Sequence, residues 1–271
     1  MKFINKIKNR LSNLKSKLCI GIDPEWEKLP EKVKEQPSSL FMFSKNIVDT
    51  TSEYAIAYKP NIAFFERFGS KGIAEFEELI YYLKNKYPEI PIIADCKRGD
   101  LSNTSKEYAK YFFGDLKVDS ITLSPYMGED SIQPYLEFVN HFVFLLCLTS
   151  NPSSNDLQRI KIDSKQNFYE YVAKFSNDLN KKYKDQIGIV VGATHPIELA
   201  DLRKKFPELV FLIPGYGAQG GSLKDIMSVS GDLSLINSSR SIIFASNQSD
   251  FADQAKLKAK EITLEMRELS K

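Results

Sequence analysis

Short apolar runs alternate along this chain with longer stretches in which apolar residues recur every three or four positions. The runs at 18–22, 55–60, 92–96, 120–123, 142–148, 188–191, 210–213 and 233–236 predict eight strands. Several carry almost no polar residue, as expected of parallel strands covered on both faces. Between them, 44–53, 72–87, 106–113, 132–139, 167–184, 196–206 and 250–269 predict helices. In 72–87, for example, Ile73, Phe76, Leu79, Ile80 and Leu83 share one face of a 3.6-residue period. Eight strands, each with a following helix, is the count of a (β/α)₈ TIM barrel. An open doubly wound sheet is the alternative, but the turn after the first strand, 20–24, holds a single glycine and no dinucleotide fingerprint. No shift in composition marks a second unit, so residues 1–271 are expected to form a single domain. The Ser-, Asn- and Pro-rich stretch 149–165 predicts a long loop on the upper rim.

The first eighteen residues hold five lysines, one arginine and no acid. Phe3, Ile7, Leu11, Leu14 and Leu18 fall at helical spacing. A basic amphipathic start is also the mark of an organellar transit peptide. Here it has one arginine and runs into the first strand without a linker, which favours a helix capping the bottom of the barrel.

Charge adds little direction. Thirty-seven Lys and Arg against 35 Asp and Glu leave a net charge of +2, so no strong field points to nucleic acid or to a membrane. The longest apolar run, near 142–148, is far too short to span a bilayer. Cys19, Cys96 and Cys147 stand far apart in apolar runs without metal-ligand spacing. They are expected to be reduced core thiols of a cytoplasmic protein.

Candidate chemistry gathers where the strands end. The run from Pro91 to Asp100 carries Asp95, Lys97 and Asp100 at the mouth of an otherwise apolar strand. Alternation puts Ile93, Asp95 and Lys97 on one side and Ile92, Ala94 and Cys96 on the other. Charges are costly to bury unless paired, so three on one strand end point to chemistry. Other strand ends add Asp23, then Lys59 with Asn61, then Thr149, Ser150 and Asn151. The seventh strand runs into Pro214 and a loop with glycines at 215, 217, 220 and 221 and Gln219, and the eighth into Arg240. Loops after strands seven and eight are the usual phosphate cradle of a barrel enzyme, and an arginine grips phosphate bidentately.

Together these residues resemble the orotidine 5′-phosphate decarboxylase family, in its bacterial type 2 branch, which is similar to the parasite enzymes. The strongest element is Asp95-x-Lys97-x-x-Asp100 followed by Leu101-Ser-Asn-Thr104. That pattern is shared with sugar-phosphate decarboxylases and aldolases. Lys59-Pro-Asn61 narrows the choice, because those relatives usually carry an acid on that strand. Two positions depart from the family pattern: Ser102 and Ser239 stand where glycine is common.

The resemblance implies loss of CO₂ from orotidine 5′-phosphate to give uridine 5′-phosphate, with neither metal nor organic cofactor. It implies Lys97 as the proton donor, flanked by Asp95 and Asp100, with Lys59 in the same charge network. It implies ribose contacts from Asp23 and Asn61, a pyrimidine contact from Ser150, and a phosphate site from Pro214, Gln219 and Arg240. It also implies a homodimer in which Asp100 and Thr104 reach the neighbour's site. A magnesium-dependent lyase of the same superfamily would need a carboxylate in place of Lys59, and Glu66 is a poor substitute. A catalytically dead nucleotide-binding protein would keep Gln219 and Arg240 without the charged set. His195, before Pro196, is expected to start a helix or sit in a loop, since no Ser or Cys nucleophile adjoins it. His141, Trp26, Cys96 and Cys147 are expected to be structural.

Overall fold

The computed structural model describes residues 1–164, 166–217 and 221–270. Helix α1 (Phe3–Leu14) leads into β1 (Leu18–Ile22), and a 3₁₀ turn, α2 (Glu31–Lys34) and α3 (Ser39–Thr51) lead to β2 (Ala57–Pro60). Then come α4 (Ala63–Glu66), α5 (Gly69–Lys86) and β3 (Ile93–Arg98). Helix α6 (Ser102–Ala109) widens into a π-helical turn before β4 (Ser120–Leu123), and α7 (Glu129–Leu136) precedes β5 (Phe142–Leu148). The remainder alternates α8 (Phe168–Lys182), β6 (Ile187–Val191), α9 (Pro196–Lys205), β7 (Val210–Pro214), α10 (Leu223–Val229) and β8 (Ser234–Ser238). Helices α11 (Arg240–Ile243) and α12 (Phe251–Leu269) close the described chain.

All eight strands lie in one parallel sheet, ordered β2-β1-β8-β7-β6-β5-β4-β3. Its two ends meet through bridges at Tyr58–Ile92 and Asn61–Asp95, which bring β2 beside β3 and nearly close the barrel. Two apolar clusters follow from strand alternation. The outward faces pack under the helices, as with Ile92, Ala94 and Cys96 against Phe76, Leu79, Ile80 and Leu83 in the larger cluster. Each fully buried Ile, Leu or Phe among them contributes about 1.5–3 kcal/mol relative to exposure. The inward faces of the lower strands form a second cluster with Cys19, Ala57, Ile93, Phe142, Phe144 and Leu212.

Helix α1 plugs the bottom of that second cluster. Phe3 stacks on Phe142 at 4.7 Å and meets Phe144 edge-on at 5.8 Å. Lys6 pairs with Asp119 at 2.7 Å, and Arg10 donates to the Ser52 carbonyl at 2.8 Å. The basic start is therefore the expected capping helix. Leu18, which continues the helical spacing, belongs instead to β1, because the chain leaves the helix at Lys15 in a left-handed conformation.

The predicted strands differ from the observed ones by two residues at most. The helices differ more. The segment predicted from 106 starts at Ser102, where its first turn is polar and shows no apolar period. Helices α4 and α10, of four and seven residues, are too short for a period to declare itself. No described helix is long and apolar enough to cross a membrane.

Candidate active site

The inward positions climb from apolar at the base to charged at the mouth. On β3 the order is Ile93, Asp95, Lys97; on β2 it is Ala57 and Lys59, then Asn61 just beyond. On β1 it is Cys19, Gly21, then Asp23. Asp95 is 7% exposed and Lys59 4%, so both charges lie inside the barrel. They survive there because they are paired. Lys59 Nζ donates to Asp95 Oδ2 at 2.5 Å, Lys97 Nζ donates to Asp95 Oδ1 at 2.6 Å, and Thr122 Oγ1 donates to the same oxygen at 2.9 Å. Lys97 is the outermost member, its side chain half exposed at the opening.

Burial alone would push the Asp95 carboxyl up, but Lys59 and Lys97 outweigh it and hold the group far below the usual carboxylate range. Burial likewise works against the Lys59 ammonium, yet Asp95 and Asp23 hold it above its ordinary value. The pair is thus ionised across the whole neutral range. Burial also pushes the Cys19 and Cys96 thiols up to about 12, which removes both as nucleophiles.

The backbone at Lys97 is unusual. Its φ is +45°, a left-handed conformation that disfavours residues with a Cβ. The β3–β4 register breaks there, from Ala94 opposite Ile121 to Arg98 opposite Leu123. Such outliers cost about 1–3 kcal/mol and persist where the surroundings over-determine them.

Around the mouth, the buried acceptors Asp23 Oδ1 and Asn237 Oδ1 have no hydrogen-bond partner among the described residues. Buried polar atoms are nearly always satisfied, so the orphans mark positions suited to ligand hydroxyls. Asn61 is partly committed, its Oδ1 accepting from the Ala63 N–H at 3.2 Å. Ser150 is half buried after β5 and lies against Gly192, where a Cβ would come within 2.9 Å of the serine's own.

On the opposite side, β7 ends at Pro214, and Gly215 and Gly217 follow with φ of +100° and +77°, values that glycine adopts freely. Gln219 and Gly220 lie outside the described residues. Arg240 opens α11 and is exposed, and its side chain makes no hydrogen bond or ion pair among the described residues. Both departures from the family pattern are accommodated. Ser102 opens α6, a helical position, and Ser239 has φ −117°, outside the left-handed region. The Ser239 side chain fills space left by Gly21, where a Cβ would fall 1.8 Å from Ser239 Oγ.

Asp100 differs from expectation. Within the chain, Lys97 is bonded to Asp95 and not to Asp100, whose Oδ1 instead accepts from the Leu101 N–H at 2.7 Å. Thr104 is exposed on α6. Exposed Leu101, Tyr126 and Met127 belong to the loops after β3 and β4. His195 sits at the start of α9, its ring nitrogens within 3.0 Å of the Thr149 carbonyl and 3.2 Å of Arg159, where it ties the long loop after β5 to α9. His141 stacks on Phe113 at 4.5 Å, and burial lowers its pKa. Among the described residues no three His, Cys, Asp or Glu side chains gather as a metal site.

Thr122 carries no signal in the sequence, being ordinary strand composition there.

Comparisons with known proteins agree with one another. The profile of the family described as Orotidine 5′-phosphate decarboxylase / HUMPS matches residues 16–255. The orotidine 5′-phosphate decarboxylase of Leptospira interrogans serogroup Icterohaemorrhagiae serovar Lai (strain 56601) is 54% identical over 263 residues, spanning 97% of this chain and 94% of that protein. The solved Leishmania donovani OMP decarboxylase is 36% identical with a TM-score of 0.85, covering 100% of this chain and 99% of its own. The Leishmania donovani UMP synthase structure is 37% identical with a TM-score of 0.87, and this chain spans 57% of its length.

Proposed function

The chain belongs to the orotidine 5′-phosphate decarboxylase family, and from that membership we propose how its rim residues carry out the reaction. The chain removes CO₂ from orotidine 5′-phosphate to give uridine 5′-phosphate, a step of pyrimidine biosynthesis. The observation that carries the mechanism is the buried Lys59–Asp95–Lys97 chain, which ends in an amine at the mouth of the barrel.

The C6–carboxylate bond breaks with its electron pair left on C6, and CO₂ departs. The pyrimidine ring delocalises that pair poorly, so a preorganised positive charge must stabilise it. Lys97 Nζ supplies the charge and then gives C6 the proton that replaces CO₂. Water returns a proton to the amine. Asp95 holds the amine in place and is itself held by Lys59, so the array needs no reorganisation during the reaction. The unpartnered Asp23 Oδ1 accepts from the ribose, with Asn61 beside it. Ser150 reads the pyrimidine amide, and Arg240 with the Pro214–Gly217 turn and Gln219 holds the phosphate. A magnesium-dependent sugar-phosphate lyase would need an acid where the buried Lys59 stands.

The orientation of Asp100 supports a homodimer with shared sites. It accepts from the Leu101 N–H and not from its own Lys97, and Leu101, Tyr126 and Met127 in the loops after β3 and β4 are exposed apolar side chains. Asp100 and Thr104 then complete the neighbouring copy's site. The three free, buried cysteines suit a cytoplasmic setting.

A spectrophotometric assay with orotidine 5′-phosphate tests this reading. Turnover is expected with and without EDTA. Lys97→Ala and Asp100→Ala chains are each expected to be inactive, and mixing them to restore part of the activity, because one hybrid site keeps both residues. No turnover, or turnover abolished by the chelator, would overturn the cofactor-free decarboxylase. A mixture as inactive as its components would overturn the shared site.

A further inference from the structure

We propose that Thr122 is a positioning residue for Lys97, acting through a hydroxyl that ties the amine's backbone to the amine's own counter-ion. The inference rests on the role given to Lys97 above. It is carried by three hydrogen bonds converging on one oxygen that is 2% exposed as a residue.

Between Ala94 and Arg98 the third strand advances four residues while the fourth advances two, from Ile121 to Leu123. Regular pairing fails there, and the N–H groups of Cys96 and Lys97 need other acceptors. Thr122 Oγ1 serves both, at 3.1 Å and 3.0 Å. A hydroxyl has two lone pairs and one proton. With both lone pairs taken by backbone donors, its proton is free only to donate, and Asp95 Oδ1 lies 2.9 Å away. That same oxygen receives Lys97 Nζ at 2.6 Å.

A closed ring results: Lys97 N–H to Thr122 Oγ1, Thr122 Oγ1 to Asp95 Oδ1, and Asp95 Oδ1 back to Lys97 Nζ. The ring explains how a lysine keeps φ at +45° at a strand end. It fixes the amine at both ends, its backbone and its ammonium, relative to one buried side chain. Lys59 holds the other carboxylate oxygen and so supports the ring from below. Serine can make all three bonds. Valine, nearly the same shape, can make none.

The test compares Thr122→Val and Thr122→Ser. Thr122→Val is expected to lower kcat by about 10–100-fold, the scale on which misplacing a reacting group slows a reaction. KM for orotidine 5′-phosphate should change little, since ribose and phosphate contacts are untouched. Thr122→Ser is expected to return kcat to near the wild-type value. A residue that only supports the fold would lower the melting temperature without this split and without the rescue. Wild-type kcat in Thr122→Val, or equal losses in both variants, would overturn the proposal. Should Thr122→Val not fold, Thr122→Ala replaces it with the same expectations. A crystal structure of either hydroxyl-free variant gives a readout independent of turnover. Lys97 should leave the left-handed region and its amine should withdraw from Asp95; an unchanged Lys97 would overturn the inference even if the decarboxylase assignment stands. Failure of the wild-type chain to turn over substrate would instead overturn the reaction assigned above.

Discussion

Lys97→Ala is expected to lower kcat by at least about 10⁴-fold, from the combined loss of a general acid and of electrostatic stabilisation. Both effects reside in one nitrogen. On the proposed mechanism the amine stabilises the pair left on C6 while CO₂ departs and then supplies the proton. The fold should survive the change. Lys97 is half exposed, and Asp95, the group it leaves behind, keeps Lys59 and Thr122 as partners. Alanine keeps the Cβ, so the left-handed backbone at this position is no less strained in the variant. Steady-state kinetics beside a thermal melt check the pair of claims: activity gone, melting temperature unchanged. A folded variant that retains turnover would refute the role of the amine.

Arg240→Ala is expected to lower kcat/KM for orotidine 5′-phosphate by about 10³-fold, the scale of losing a charge-assisted bidentate grip on phosphate. The guanidinium has no partner among the described residues to leave unsatisfied, so the melting temperature should hold. Most of the loss should appear in KM. Some should appear in kcat, because binding energy from a remote group can be used to reach the transition state. Orotidine without its phosphate separates the contributions. Wild-type and variant chains should process that truncated substrate equally, since neither can use the contact. A variant that is worse on both substrates would place Arg240 in some other role.

Strand positions were legible because barrel strands are covered on both faces, which makes their apolar runs nearly continuous. The pairing of Asp95, Lys97 and Lys59 was legible for the converse reason: charge inside such a run is costly, so its presence signals a partner. The direction of Asp100 was not legible. Whether the side chain after Gly99 meets Lys97 depends on the backbone path beyond β3, which composition does not encode. Thr122 was hidden because threonine is favoured in strands whatever its hydroxyl does. Its part becomes visible only when the irregular β3–β4 register leaves two N–H groups to be satisfied. Asn237 stands at a polar strand end that the sequence shows, but the unsatisfied state of its oxygen is a property of the assembled barrel. Helix α10 was missed because seven residues cannot display a period.

The claim on which all of this depends is that Lys97 Nζ exchanges a proton with C6 of the pyrimidine. Proton transfer at that carbon runs in both directions, so the product itself can report it. Uridine 5′-phosphate incubated with the chain in heavy water, followed by NMR at the C6 proton, is the most direct measurement. The wild-type chain should exchange that hydrogen for deuterium, and Lys97→Ala should do so at least about 100-fold more slowly. Equal exchange by both chains, or exchange at another ring position alone, would contradict the account.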